Sequence, residues 1–240
     1  MSLNNFSSKT VFISGATRGI GQAISIALKS QGAKVIGSGT SANKSLECLD
    51  EYIQVDFSDV NQIYSCADRL RLIKPDILIN NAGINVIAPF CEVVPEDFLR
   101  IQQVNVFAPF SLCQAVIPGM REKGWGRIVN ISSIWGKISK EFRASYSASK
   151  FALDGMTLAL AAECSAENIL ANCVAPGFTD TELTRGILDG NQINRLQMGI
   201  PLKRMANVDE IASFVVWLAS PENTYITGQN IAVDGGFSRV

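Results

Sequence analysis

The stretch Ser14-Gly15-Ala16-Thr17-Arg18-Gly19-Ile20-Gly21 constrains the fold of this 240-residue chain more than any other, because of what flanks it. Before it lies the β-prone run Thr10-Val11-Phe12-Ile13, and after it the helical stretch Gln22-Ala23-Ile24-Ser25-Ile26-Ala27-Leu28. Glycines at 15, 19 and 21 let the backbone turn sharply and approach a pyrophosphate, whose charge the free N–H groups at a helix start would hold. The spacing is not G-x-G-x-x-G and lacks a G-K-[ST] ending, which excludes a nucleoside triphosphatase loop. Alone, the segment fits a plain strand-to-helix corner equally well.

The rest of the chain repeats the alternation. Apolar strand runs fall near residues 10–14, 33–37, 52–55, 77–80, 127–132, 169–175 and 230–233, separated by helical spans long enough for crossover connections. Runs such as Arg127-Ile128-Val129-Asn130-Ile131 suit a parallel sheet covered by helices on both faces. With 47% hydrophobic and 18% charged residues the chain can bury one large core, and no linker, repeat or block of like charge divides it. The expectation is an α/β fold: one Rossmann-type, doubly wound domain over residues 1–240, with a seven-stranded parallel sheet and ligands beyond the carboxyl ends of its strands.

Composition also excludes partners. A net charge of −1 argues against nucleic acid, and the clusters Lys137, Lys140, Arg143 and Arg121, Lys123, Arg127 read as solvated charges near turns. Six scattered cysteines without a C-x-x-C pair read as reduced thiols, and no metal site is expected. The opening residues 1–9 lack a basic region followed by an apolar one, and no apolar run reaches bilayer length, so no membrane partner and a cytoplasmic location are expected.

Candidate chemistry lies in Tyr146 and Lys150, one helical turn apart, with Ser133 thirteen residues before the tyrosine. The chain contains no histidine, so a phenol is the group available to protonate a carbonyl near neutral pH. A free phenol has a pKa of about 10, and an ammonium at about 4 Å lowers the phenolate by at most about 4 kcal/mol at an effective dielectric of about 20. Ile77-Leu78-Ile79-Asn80-Asn81-Ala82-Gly83 adds a buried strand ending in two amides and a glycine, and Asn105 follows in the helix-like segment 98–107.

Together these motifs resemble the short-chain dehydrogenases/reductases, over essentially the whole chain. Matching are the turn from Gly15 to Gly21, Asn80 to Gly83, Asn105, Ser133, Tyr146, Lys150, Asp56 after the third strand, Pro176-Gly177 with Thr181, and the closing Val233-Asp234-Gly235-Gly236. The resemblance implies that Tyr146 is the acid/base, Lys150 its charge partner and ribose anchor, Ser133 the holder of the substrate oxygen, and Asn105 the support of a proton-relaying water. Ser132 is the competing hydroxyl, and a serine capping a turn is the plain alternative for either. The dinucleotide would meet Gly15, Thr17, Arg18, Gly19, Ile20, Gly21, Ser38, Thr40, Asp56, Phe57, Asn81, Ala82, Gly83, Tyr146, Lys150, Pro176, Gly177, Thr179 and Thr181.

Cofactor choice follows from the end of the second strand. Val35-Ile36-Gly37-Ser38-Gly39-Thr40-Ser41 carries no carboxylate before Glu47, so nothing repels a 2′-phosphate, while Arg18, Ser38, Thr40 and Ser41 can bond to one; NADP(H) is expected. Residues 181–201 read as a substrate lid. The chain is most similar to 3-oxoacyl-[acyl-carrier-protein] reductases, which implies a thioester ketone substrate, a carrier-protein partner and a homotetramer built through helices around 95–120 and 146–164. Two features depart from that pattern. Trp135, Lys137, Lys140, Glu141, Phe142 and Arg143 replace a small turn, and Gly124 and Glu167 stand where basic docking groups are usual. Another small-molecule ketone, sugar-derived, quinone-like or cyclic, with Trp135 and Phe142 stacking on it, is the alternative, followed by a non-catalytic NADP(H)-binding subunit.

Overall fold

The computed structural model describes residues 6–42, 46–181, 184 and 190–239, without side chains at 190–192. Seven strands form one sheet: β1 (Thr10–Ile13), β2 (Lys34–Gly39), β3 (Glu51–Gln54), β4 (Ile77–Asn80), β5 (Gly126–Ile131), β6 (Ile169–Pro176) and β7 (Asn230–Val233). Their order is β3-β2-β1-β4-β5-β6-β7 and every pairing is parallel.

Successive strand side chains point to opposite faces, so one strand feeds two cores. On β1, Phe12 packs with Leu70, Leu112 and Val116 from helices α2 (Val60–Ile73) and α4 (Ala108–Lys123). Its neighbours Val11 and Ile13 pack on the other face with Ile24 and Leu28 of α1 (Gly19–Ser30) and with Ile211 and Val215 of α7 (Val208–Leu218). Among the described residues, further α-helices are α3 (Pro95–Gln102), α5 (Ala144–Cys164) and α6 (Gly190–Gly199). An Asn207–Glu210 capping box starts α7.

The chain winds outward from β1 to β3, then returns to lay β4 beside β1. That reversal opens a crevice beyond the carboxyl ends of β1 and β4, where a doubly wound sheet takes its ligand.

The helix-like segment 98–107 is helical: α3 ends at Gln102 and residues Gln103–Phe107 form a π turn closed by the Ala108 N–H on the Gln103 carbonyl. One local reading changes. Arg127 is not a solvated charge; it is 2% exposed and donates to the carbonyls of Gly126, Asn168 and Asn223 at 2.8, 3.0 and 2.9 Å.

Candidate active site

The glycine turn is built around two close approaches. Gly15 has φ +65°, and a Cβ on Gly21 would lie 2.2 Å from the Gly15 carbonyl and 2.5 Å from the Asn81 amide. Asn81 in turn donates to the carbonyls of Ser14 and Gly15 at 3.1 and 2.9 Å, tying the β4 end to the turn. Gly21 therefore serves packing and does not face the crevice.

The crevice has a volume of about 600 Å³. At its glycine-turn end it is lined by Gly15, Thr17, Arg18, Gly19, Ile20, Thr40, Asp56 and Phe57, and along its floor by Asn81, Ala82 and Gly83. Pro176, Gly177, Thr179 and Thr181 line another wall, with Thr181 reaching Gly19 of the turn and a Thr184 hydroxyl bond to the Thr179 carbonyl at 2.8 Å. Ser133, Tyr146 and Lys150 reach the same space. Ser38 does not: it is fully buried, and Thr40 alone of the expected β2-end hydroxyls lines the crevice. Among the described residues no group of Cys, Asp and Glu side chains could hold a metal ion.

At the glycine-turn end the charges suit a phosphate. Asp50 lies at the opposite, N-terminal edge of β2 and β3, in a Lys29 ion pair and accepting from the Val35 N–H at 2.8 Å. Asp56 accepts from the Ser58 N–H and hydroxyl at 2.8 and 2.7 Å. Arg18 is exposed at the start of α1, on extended backbone.

At the other end both Ser132 and Ser133 line the crevice, and Ser133 is the hydroxyl that acts on the Tyr146 phenol, pulling its pKa down. The Ser132 hydroxyl is buried without a partner, and a Cβ on Gly136 would approach it to 2.7 Å. Ser133 also accepts from the Trp135 N–H at 3.2 Å, so it caps a turn as well. Lys150 donates to the Ile131 carbonyl at 2.8 Å, and burial lowers it to about 8.

The expected electrostatics of the pair need correcting. Burial pushes the Tyr146 phenol above its ordinary value, opposed by the Ser133 hydrogen bond and by the Arg143 charge. Lys150 Nζ stands 5.5 Å from the ring centroid. The cation nearest in effect is thus Arg143, one turn before Tyr146, which the sequence reading placed among solvated charges.

Asn105 is 1% exposed and does not line the crevice. Its amide donates to the Ile84 carbonyl and the Ser149 hydroxyl, at 2.9 and 3.0 Å, and accepts from the Ile84 N–H at 2.9 Å. It clamps the backbone just past Gly83 from inside the π turn. Arg100, Asn85 and Thr184 also line the crevice and were not singled out, because no motif marks them. The expected lid falls partly on residues 182, 183 and 185–189, outside the described residues; within it, α6 is helical.

The family described as "Enoyl-(Acyl carrier protein) reductase" matches residues 15–238, within the short-chain dehydrogenases/reductases. The chain belongs to the short-chain dehydrogenase/reductase family. It is 36% identical to the Escherichia coli K12 3-oxoacyl-[acyl-carrier-protein] reductase FabG, across 98% of this chain and 100% of that one. It is 38% identical to the acetoacetyl-CoA reductase of Shinella zoogloeoides, across 95% and 98%. A blue fluorescent protein from a metagenomic library, solved with NADPH, superposes with a TM-score of 0.89 at 36% identity, across 97% and 99%. As a member of this family the chain is an oxidoreductase.

Proposed function

We propose that this short-chain dehydrogenase/reductase reduces a ketone to a secondary alcohol with NADPH, and the observation that carries the reading is the meeting of Ser133, Tyr146 and Lys150 in the crevice that begins at the glycine turn. NADP(H) fits the glycine-turn end, where Thr17, Arg18 and Thr40 face the crevice and the chain carries no carboxylate between the end of β2 and Glu47. The NADPH-bound relative supports the same choice. Bound there, NADPH supplies hydride to the carbonyl carbon.

The chain's own part is protonation. Ser133 holds the carbonyl oxygen beside the Tyr146 hydroxyl, and the phenol gives that oxygen its proton, so ketone, hydride and one proton make the alcohol. A phenol raised by burial is fully protonated at neutral pH and suited to reduction. Lys150, held at about 8, exchanges protons near neutrality and restores the phenol's proton. Asn105 is a positioning residue that fixes the floor beside Lys150: a Cβ on Gly83 would lie 3.4 Å from its oxygen and 3.6 Å from Lys150 Nζ.

The relatives support a 3-oxoacyl thioester as substrate. One observation favours the alternative, a sugar-derived, quinone-like or cyclic ketone that needs no carrier: Arg121 is paired with Glu167, so that surface offers an acidic carrier protein a neutralised pair. The test follows NADPH absorbance with acetoacetyl thioesters against cyclic and sugar ketones. Turnover of the thioesters alone supports the first reading; turnover with NADH but not NADPH overturns the cofactor choice.

A further inference from the structure

Arg143 is a half-buried cation with an incomplete set of partners. Its Nε is enclosed without a hydrogen-bond partner, and among the described residues no carboxylate pairs with it. It sits immediately before α5, one turn ahead of Tyr146, whose phenol feels its charge. Burial lowers its own pKa.

The backbone is strained to put it there. Phe142 has φ +66°, in the left-handed region that a bulky side chain rarely adopts, and its ring is left 48% exposed. A second cation shares the place: Lys140 Nζ and Arg143 Cζ lie 6.0 and 5.9 Å from the Trp135 ring centroid. Trp135 is fixed edge-on by Phe178, which lines the crevice, and by Phe237. The only carboxylate among these neighbours in sequence, Glu141, is exposed and makes no ion pair with either cation.

From this geometry we infer that Arg143, seconded by Lys140, reads an anionic group on the substrate, so that the ketone reduced at Tyr146 carries a carboxylate or phosphate close to its carbonyl. The inference rests on the ketone-reductase reading above and narrows its substrate class. A guanidinium short of partners, held rigidly against an aromatic plate, is matched by the paired oxygens of either anion. Arg143 itself does not line the crevice, so the anion would lie past Tyr146, on its Trp135 side.

The experiment uses two pairs of ketones that differ in charge: acetoacetate against ethyl acetoacetate, and dihydroxyacetone phosphate against dihydroxyacetone. Each is assayed with NADPH on the intact chain and on Arg143→Gln and Arg143→Lys. The expected result is that at least one anionic member exceeds its neutral partner in kcat/KM by about tenfold or more. Arg143→Gln should erase that preference mainly through KM, and Arg143→Lys should restore part of it. Which pair responds tells carboxylate from phosphate. NADPH affinity and thermal midpoint, measured on the same variants, identify a folding defect, and then calorimetric binding of both anions to the intact chain with NADP+ decides instead. Equal rates within both pairs, or a preference that survives Arg143→Gln, would overturn the inference while leaving ketone reduction standing. If no ketone of either charge is turned over, the ketone-reductase reading fails, and absence of anion binding by calorimetry then sinks this one too.

Discussion

A phenol, an amine and a hydroxyl converge at the crevice, and their environments assign them different protonation states. Tyr146 is raised by burial and Lys150 lowered to about 8. Ketone reduction is therefore expected to keep its proton supply through pH 8, whereas alcohol oxidation, which needs the phenolate, should rise with pH across the same range; initial rates in both directions from pH 6 to 9 check this. Linkage gives a second outcome. Between pH 8 and about 10.4 the folded chain has released a proton that the unfolded chain keeps, so stability attributable to Lys150 rises with pH across that window. Urea melts of the wild type and Lys150→Met should thus converge or cross toward the wild type's advantage as pH increases from 7.5 to 10. The residues were legible in sequence but their electrostatics were not: four positions along a helix fix a shared face, while the direction of a pKa depends on burial, which only the fold sets, and on Arg143, one turn away but read as a solvated charge.

Among the elements, the strands were read to within about two residues; β4, β5 and β6 are buried along their whole length, which writes a largely apolar run into the sequence, while the edge strands β3 and β7 are only partly covered. Segment 98–107 was read as helix-like and is helical, with Gln103–Phe107 in a π turn. Ser38 was misplaced because it is fully buried within β2, whereas Thr40, just past the end of the strand, lines the crevice. Gly21→Ala is expected to cost about 1–3 kcal/mol, since the new methyl meets backbone at 2.2 Å, and to weaken NADPH binding by deforming the turn; a denaturant melt and a fluorescence titration read the two effects. Asn207→Ala should cost about 1 kcal/mol through loss of the α7 cap, with NADPH affinity unchanged.

At the scale of the whole molecule, the seven-stranded order and the crevice at its reversal follow from topology, and the family match spans residues 15–238. Among the described residues no helix is long and apolar enough to cross a membrane. Phe110 on α4 and Phe151 and Leu158 on α5 are 48, 47 and 52% exposed. Apolar residues so placed support the proposed homotetramer, whose contacts would run along those two helices. Light scattering is expected to give four times the chain mass, and Phe151→Glu to reduce it; a monomer in the wild type would contradict the assembly without touching the chemistry. Sequence could not supply this, since an exposed and a buried phenylalanine look alike until the helix faces are known.

The most direct measurement is single-turnover oxidation of bound NADPH by a reducible ketone in the wild type and in Tyr146→Phe, alongside the dinucleotide affinity of each. Loss of about 10² to 10⁴ in the rate with affinity nearly unchanged is the expected result. An undiminished rate in Tyr146→Phe would contradict the assignment of this phenol as the proton donor.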